Sequence, residues 1–342
     1  MHIFRHFKRV VTDWFLCGML LATLLAYLFP SFGSKGGGMH AEVVINIGVF
    51  LVFFLHGVNL SSEQIGHGLK NWRLHIMVQG FTFVVFPLLW LLCKVTLGTQ
   101  IPALLMLGFL YLCALPSTIS SSVALTGSAG GNVPAAILNA SASSVLGIFI
   151  TPWLVSLVLG SGAGGIDLGS TLIDLCAMLL LPLVLGQLVR PLFGKFFARH
   201  KRYTNIIDKV VILLLVYSAF CGSMTSGMWH QQGTSVILTA FVGVAILLAL
   251  ILTLTTRTAK LLKFKHADEV AAVFCASKKS LAAGAPMAAL IFGNNPGLGL
   301  ILLPIMIYHP LQLIVCSIMA ENYSNRLKSG VLSGDEEATS PA

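Results

Sequence analysis

The stretch "VFCASKKSLAAGAPMAALIF", Val273–Phe292, decides how this chain is read. It is apolar enough to cross a bilayer, yet two adjacent lysines, Lys278 and Lys279, stand inside it. A lysine at the centre of a membrane helix costs about 2.5–3.5 kcal/mol even on the lenient insertion scale. If the span begins near Glu269, Lys278 lies roughly 13–14 Å in, close to the midplane of a ~30 Å hydrocarbon core. Snorkelling to the interface from there is hard. On a regular helix the two side chains point about 100° apart, so they share surroundings only if the backbone unwinds. Charge held at this depth points to function by default.

Composition agrees with a membrane setting. Of 342 residues, 56% are hydrophobic and 10% charged, with a mean hydropathy of +0.89; a soluble domain carries about 25% charge. A window of about 20 residues finds ten apolar segments, at 12–30, 43–60, 74–95, 102–122, 133–160, 168–190, 208–227, 234–256, 269–292 and 298–320. Period-two alternation is absent, which excludes an outer-membrane barrel. The N-terminal "MHIFRHFKRVVTDWFLCGMLLATLLAYLFP" starts basic and turns apolar, as a signal peptide does, but shows no small-x-small cleavage site. It is read as a retained first helix.

Charge placement orients the spans. Seventeen of the 21 Lys and Arg residues fall at the N-terminus, in alternate loops or in the tail, with only Lys35 and Lys94 opposite. Both termini are therefore expected in the cytoplasm. The net charge of +9 is this topology signal, and no nucleic-acid partner is expected. The seven cysteines all lie in apolar segments and read as free packing thiols. No metal-ligand spacing and no Gly-x-Ser-x-Gly elbow is present, so neither a cofactor nor an enzymatic activity is expected.

Ten spans with short loops suggest two five-helix repeats, about 12–160 and 168–320. An odd number per repeat makes them inverted, the arrangement common in secondary carriers. The fourth span holds Pro116 followed by Ser117, Thr118, Ser120, Ser121 and Ser122; the ninth holds Lys278, Lys279, Ser280, Gly284 and Pro286. Both are the fourth helix of their repeat, and both place polar groups and helix breakers where a lipid-facing helix would not. Residues 1–325 are read as one transporter domain and 326–342 as a disordered tail.

Lys278 and Lys279 are the leading candidates. Either they face an anionic substrate or exchange a proton, or they serve structure, buried in a nook of carbonyls and hydroxyls. Thr118, Ser121 and Ser122 offer oxygens and helix-end dipoles to a polar ligand; small hydroxyl residues equally serve close helix packing. Asn139 and Ser143 lie four apart on one face of the fifth span. His56 and His309 are lone intramembrane histidines with a titrating or a structural role open to each.

The chain from about Asp13 to Asn325 resembles the bile acid:sodium symporter family, in its bacterial branch that is similar to the seventh human member. The stretches that carry this are "WRLHIMVQGFTFVVFP" (72–87), "FLYLCALPSTISSSVALT" (109–126), "AGGNVPAAILNASASSVLGIFITP" (129–152), "HADEVAAVFCASKKSLAAGAPMA" (266–288) and "LPIMIYHPLQL" (303–313). The resemblance implies a bacterial inner-membrane protein with core and panel domains and with the fourth and ninth helices unwound where they cross. It also implies ion-binding positions. Here Ser121 is kept and Ser122 replaces an Asn. The fifth-helix ligand positions become Ala136 and Ala140, and Gln79 stands for a third-helix Gln. Aligned on Ser280, Phe274 takes the place of the sodium carboxylate, Lys278 that of a Gln and Lys279 that of an Asn. The acids lie at span ends or outside, Asp174 being modestly inside.

The expectation is thus a carrier of a small organic anion with its usual sodium site degraded, coupled to protons, exchange or the substrate gradient. The alternatives are sodium coupling through a rearranged site and a membrane sensor that binds without transporting.

Overall fold

The computed structural model describes residues 13–59, 71–159, 168–227, 233, 235–293 and 295–328. Arg5, Lys8, Arg9 and Lys70 of the charge pattern, and the tail beyond 328, lie outside these residues. Among the described residues the chain is helical with no strand. In order come α1 (Trp14–Leu28), α2 (Pro30–Gly33), α3 (Ala41–Asn59), α4 (Trp72–Gly80), a π segment (Phe81–Val85) and α5 (Phe86–Leu97). There follow α6 (Ala103–Ala114), α7 (Ser120–Ser128), α8 (Val133–Leu159), α9 (Leu168–Arg199), α10 (Lys201–Thr225) and α11 (Ser235–Leu261). The chain ends with α12 (His266–Ser277), α13 (Leu281–Phe292) and α14 (Leu298–Lys328).

Seven helices of the described residues are long and apolar enough to cross a membrane: Ala41–Asn59, Trp72–Leu97, Val133–Leu159, Ala177–Gly194, Arg202–Thr225, Ser235–Leu261 and Leu298–Leu327. α1 and α6 are shorter apolar helices. The predicted fourth and ninth spans are each two short helices with a break between, α6–α7 and α12–α13. α14 continues through Lys328, so residues 326–328 of the predicted disordered tail are helical.

The helices group by packing. α3 lies along α9, and α10 packs on α1, α2 and α3. At the α3–α9 crossing the backbones touch: a Cβ on Gly57 would stand 2.1 Å from Leu183 O, and one on Gly186 2.2 Å from Phe54 O. Gln187 Nε2 donates to Gly57 O across the same contact. α6 lies along α14, α11 packs on α12 and α14, and α12 packs on α4, α7 and α8. Between the two groups, α10 packs on α14, α8 on α9, and α13 on α3 and α10, whereas the main neighbours of α7 are α8, α12 and α14.

The two breaks have different local causes. Leu115 precedes Pro116, whose ring disfavours the helical conformation of the residue before it; Leu115 is extended, with ψ 150°. In the ninth span the break falls at Lys278–Ser280, not at the proline. Pro286 sits inside α13, and the break closes where Ser280 caps α13, its Oγ accepting from Ala283 N at 3.2 Å. Of the residues that mark this span as interrupted, the break falls at Lys278, Lys279 and Ser280, while Gly284 and Pro286 lie inside α13. A proline eight residues on cannot unwind Lys278, so the cause is what the unwound segment binds.

Candidate functional site

The two breaks meet. Ser280 N donates to Pro116 O at 2.9 Å, and Ser117 Oγ donates to Cys275 O at 2.6 Å. Ser122 Oγ donates to Phe274 O at 3.3 Å. Gly284 lets α13 come this close to α6, since a Cβ there would stand 2.7 Å from Leu115 Cδ1. Tyr111 OH donates to Gly284 O across the same contact.

Ending a helix leaves its last carbonyls without N–H partners, and at this break the four successive carbonyls from Cys113 to Pro116 are answered from outside the helix. Thr151 Oγ1 donates to Ala114 O at 2.8 Å, and Ser280 N takes Pro116 O. Lys279 takes the other two: its Nζ donates to Cys113 O at 2.8 Å and to Leu115 O at 2.7 Å.

The third N–H of Lys279 goes to Thr82 O, at 2.8 Å. That carbonyl is free for a reason legible in the backbone. In the π segment, Phe86 N–H bonds Phe81 O, five residues back. The same register would pair Thr82 O with the nitrogen of residue 87, which is proline and has no hydrogen. Lys279 thus fills three carbonyls orphaned by two irregular helices. The ring of Phe86 stands 4.0 Å from Nζ and adds its quadrupole. The Lys279 peptide is held as well: its N donates to Gln312 Oε1 and its O accepts from Gln312 Nε2, each at 2.9 Å.

Lys278 contrasts with its neighbour in its polar partners. It is equally buried, at 0% exposure, but its Nζ has no hydrogen-bond partner. The Phe274 ring centroid is 5.9 Å away, and the ionisable groups that face it are Cys275, Cys316 and His309. The nook of carbonyls envisaged for Lys278 belongs to Lys279. Lys278 stands between the C-terminus of α12 and the N-terminus of α13, a junction that offers a cation and, just beyond it, anion-favouring N–H groups.

The remaining expected residues fall around this crossing. Thr118 Oγ1 lies 2.8 Å from Ser121 Oγ and 3.1 Å from Ser122 Oγ. Ser143 Oγ accepts from Ser117 N at 2.9 Å, so it braces the first break from α8. Asn139 is turned away from the breaks. Its Nδ2 donates to Ala135 O, and its Oδ1 meets His75 Nδ1 at 3.1 Å. Gln79 Nε2 donates to Asn139 O at 3.0 Å, leaving Oε1 buried without a partner. Sequence reasoning passed over Gln312, Thr82, Thr151, Tyr111 and Tyr308, whose OH donates to Ser277 O at 2.6 Å. A lone Gln deep in the tenth span was the one visible signal among them. Of the two lone histidines, His309 lies within 3.3 Å of Gln312, and His56 lies 4.0 Å from Asp208.

No group of three or more His, Cys, Asp or Glu side chains that could hold a metal occurs among the described residues.

The model of the SBF-like CPA transporter family matches residues 13–325. The chain is 42% identical over 318 residues to the Pseudomonas aeruginosa protein PA2026, covering 93% of this chain and 95% of that one. It is 41% identical over 319 residues to the "Putative symporter YfeH" of Escherichia coli (strain K12), covering 92% and 94%. It is 37% identical over 316 residues to the sodium/bile acid cotransporter 7 of Danio rerio, covering 91% and 93%.

Proposed function

The chain belongs to the SBF-like CPA transporter family, a family of multi-pass membrane transporters and not of enzymes, and on that premise we propose that it is a secondary active transporter of a small organic anion. The observation that carries this reading is Lys278. A buried ammonium without a partner is costly to hold, and an anion brought to it removes that cost. The substrate is proposed to dock at the junction of α12 and α13, with Lys278 as its counter-charge. Ser280, Ser121, Ser122 and Thr118 supply hydroxyls beside it.

Lys279 has a separate task. Sodium is a hard ion held by oxygens, and three carbonyl oxygens at the crossing already receive the Lys279 ammonium. A second cation there meets like charge in a dry site, where repulsion is strongest. The residue in the carboxylate position, Phe274, offers no negative charge. Lys279 is thus proposed to be a built-in cation that does permanently what sodium does reversibly in sodium-coupled relatives.

Counted with each broken helix as one span, the chain crosses ten times, as two inverted sets of five. α1, α3, α9 and α10 form a panel, and the other helices a core that moves against it. With both termini in the cytoplasm, α7 is the inner half of its span and α13 the outer half of its own. Contact of α13 with the panel, and an exposed α7 face at Ser120, Ala124, Gly127 and Ser128, support a conformation sealed outside and open inward. The bacterial inner membrane is the proposed location, with protons, exchange or the substrate gradient as the drive.

The test is a thermal-shift screen of purified protein against organic anions, with Lys278→Ala alongside and uptake of each hit into proteoliposomes. Hits should stabilise wild type only, and uptake should be unchanged when potassium replaces sodium. Equal stabilisation of the variant overturns the role of Lys278. A fall in uptake without sodium favours the second reading, sodium coupling at a rearranged site. Gln79 Oε1 and Thr126 Oγ1, buried oxygens without partners, support that alternative.

A further inference from the structure

Away from the helix breaks, a groove of about 820 Å³ runs between α4 with its π segment and the end of α11. Its volume suits a bound molecule of considerable size, since small-molecule sites span about 300–1,000 Å³. Ile76, Val84 and Leu261 make its walls apolar, and they are 62%, 54% and 81% exposed. Gly80 opens it further, because a Cβ there would meet nothing within 4 Å. At the end where α4 begins and α11 stops stand Trp72, Arg73 and Lys263. All three are exposed, with the Arg73 guanidinium 5.7 Å from the indole centroid. No carboxylate is among the described lining residues. The acid tied to neighbouring Asn71, Asp268, is engaged by the side chains of Asn71 and Asn132.

A second groove at the other end of the same span is the natural comparison. It measures about 510 Å³ and carries one cation, Lys94, whose Nζ lies 5.2 Å from the Trp90 ring. Each groove is apolar with an indole at its end, as expected at a membrane interface. Only the first pairs two cations there.

We propose that the α4–α11 groove binds an anionic phospholipid, its acyl chains along the apolar trench and its phosphate between Arg73 and Lys263. Basic pockets between membrane helices recognise anionic headgroups in this way, and arginine matches a phosphate with two parallel donors. Phe81 and Val85 of the groove are the two ends of the π segment that contains Thr82, the residue whose carbonyl Lys279 holds. A bound lipid therefore braces the π segment on which the crossing depends.

The experiment uses the full chain in neutral detergent, titrated with phosphatidylglycerol, phosphatidylcholine or inorganic phosphate, and read by native mass spectrometry and melting temperature. Wild type should retain phosphatidylglycerol at least tenfold more tightly than phosphatidylcholine, and melt higher with it. The double variant Arg73→Ala with Lys263→Ala should lose the preference while melting like wild type without lipid. Arg73→Lys should keep most of it, and Lys94→Ala all of it. Equal retention of the two lipids by wild type, a preference that survives in the double variant, or the same stabilisation by inorganic phosphate alone would overturn the proposal.

Discussion

At the scale of single residues, two adjacent lysines with the same burial have opposite surroundings. Lys279 donates to three carbonyls left open by two irregular helices. Truncating it leaves those oxygens buried and unpaired, at about 1–3 kcal/mol each. Lys279→Met is therefore expected to lose several kcal/mol and melt far below wild type. Lys278→Met removes a charge that has no partner to lose. Replacing such a charge with an apolar group is often neutral or stabilising, so this variant should melt at or above the wild-type temperature. Thermal melts of the two variants in the same detergent decide the matter. Equal destabilisation would mean that Lys278 also has a structural partner. The sequence showed two unusual charges but could not divide the roles, since a one-residue step along an unwound segment decides which lysine points where.

At the scale of elements, helix crossings rest on small residues as much as on large ones. Membrane helices gain little from the hydrophobic effect between themselves and depend on close packing. The α3–α9 pair meets backbone to backbone at Gly57 and Gly186. Gly57→Ala would drive a methyl group into the Leu183 carbonyl, and backbone cannot rotate away as a side chain can. Overpacking of this kind costs about 1–3 kcal/mol. Gly222, inside α10, has nothing within 4 Å of its would-be Cβ. There Gly222→Ala should be neutral or gain up to about 1 kcal/mol from helix propensity. Melting temperatures that fall for the first and hold for the second confirm the contact; equal effects would show that the glycines are interchangeable. The broken helices illustrate the same scale. Pro116 announced its break through the residue before it, whereas the break at Lys278–Ser280 falls at the polar residues, ahead of Gly284 and Pro286.

At the scale of the whole molecule, the proposed inward-open arrangement concerns the two halves of the crossing. The exposed α7 face should be reachable by water from the cytoplasmic side alone. In a variant lacking the exposed Cys17, Ala124→Cys should react with a membrane-impermeant maleimide in inside-out vesicles and be protected in right-side-out ones. A transported anion at saturation should slow that reaction, because binding shifts the population toward states that enclose it. Labelling only from the outer side would reverse the orientation or the state.

By itself the sequence determined that this is a multi-pass helical membrane protein, where the interruptions fall to within a few residues, and that charge lies at mid-span. Hydropathy and helix breaking are local properties, summed over about 20 residues, and they survive without knowledge of the fold. It also led, through five quoted stretches, to a transporter family that the comparisons bear out. What only the tertiary structure decided is who meets whom at the crossing. Thr82, Cys113 and Lys279 are far apart in the chain, and the carbonyls that draw them together are backbone atoms, alike at every residue. Their availability follows from a π register, a proline without a hydrogen and a helix end. The prolines stand in the sequence, but the π register and the fold that carries these carbonyls to one ammonium do not.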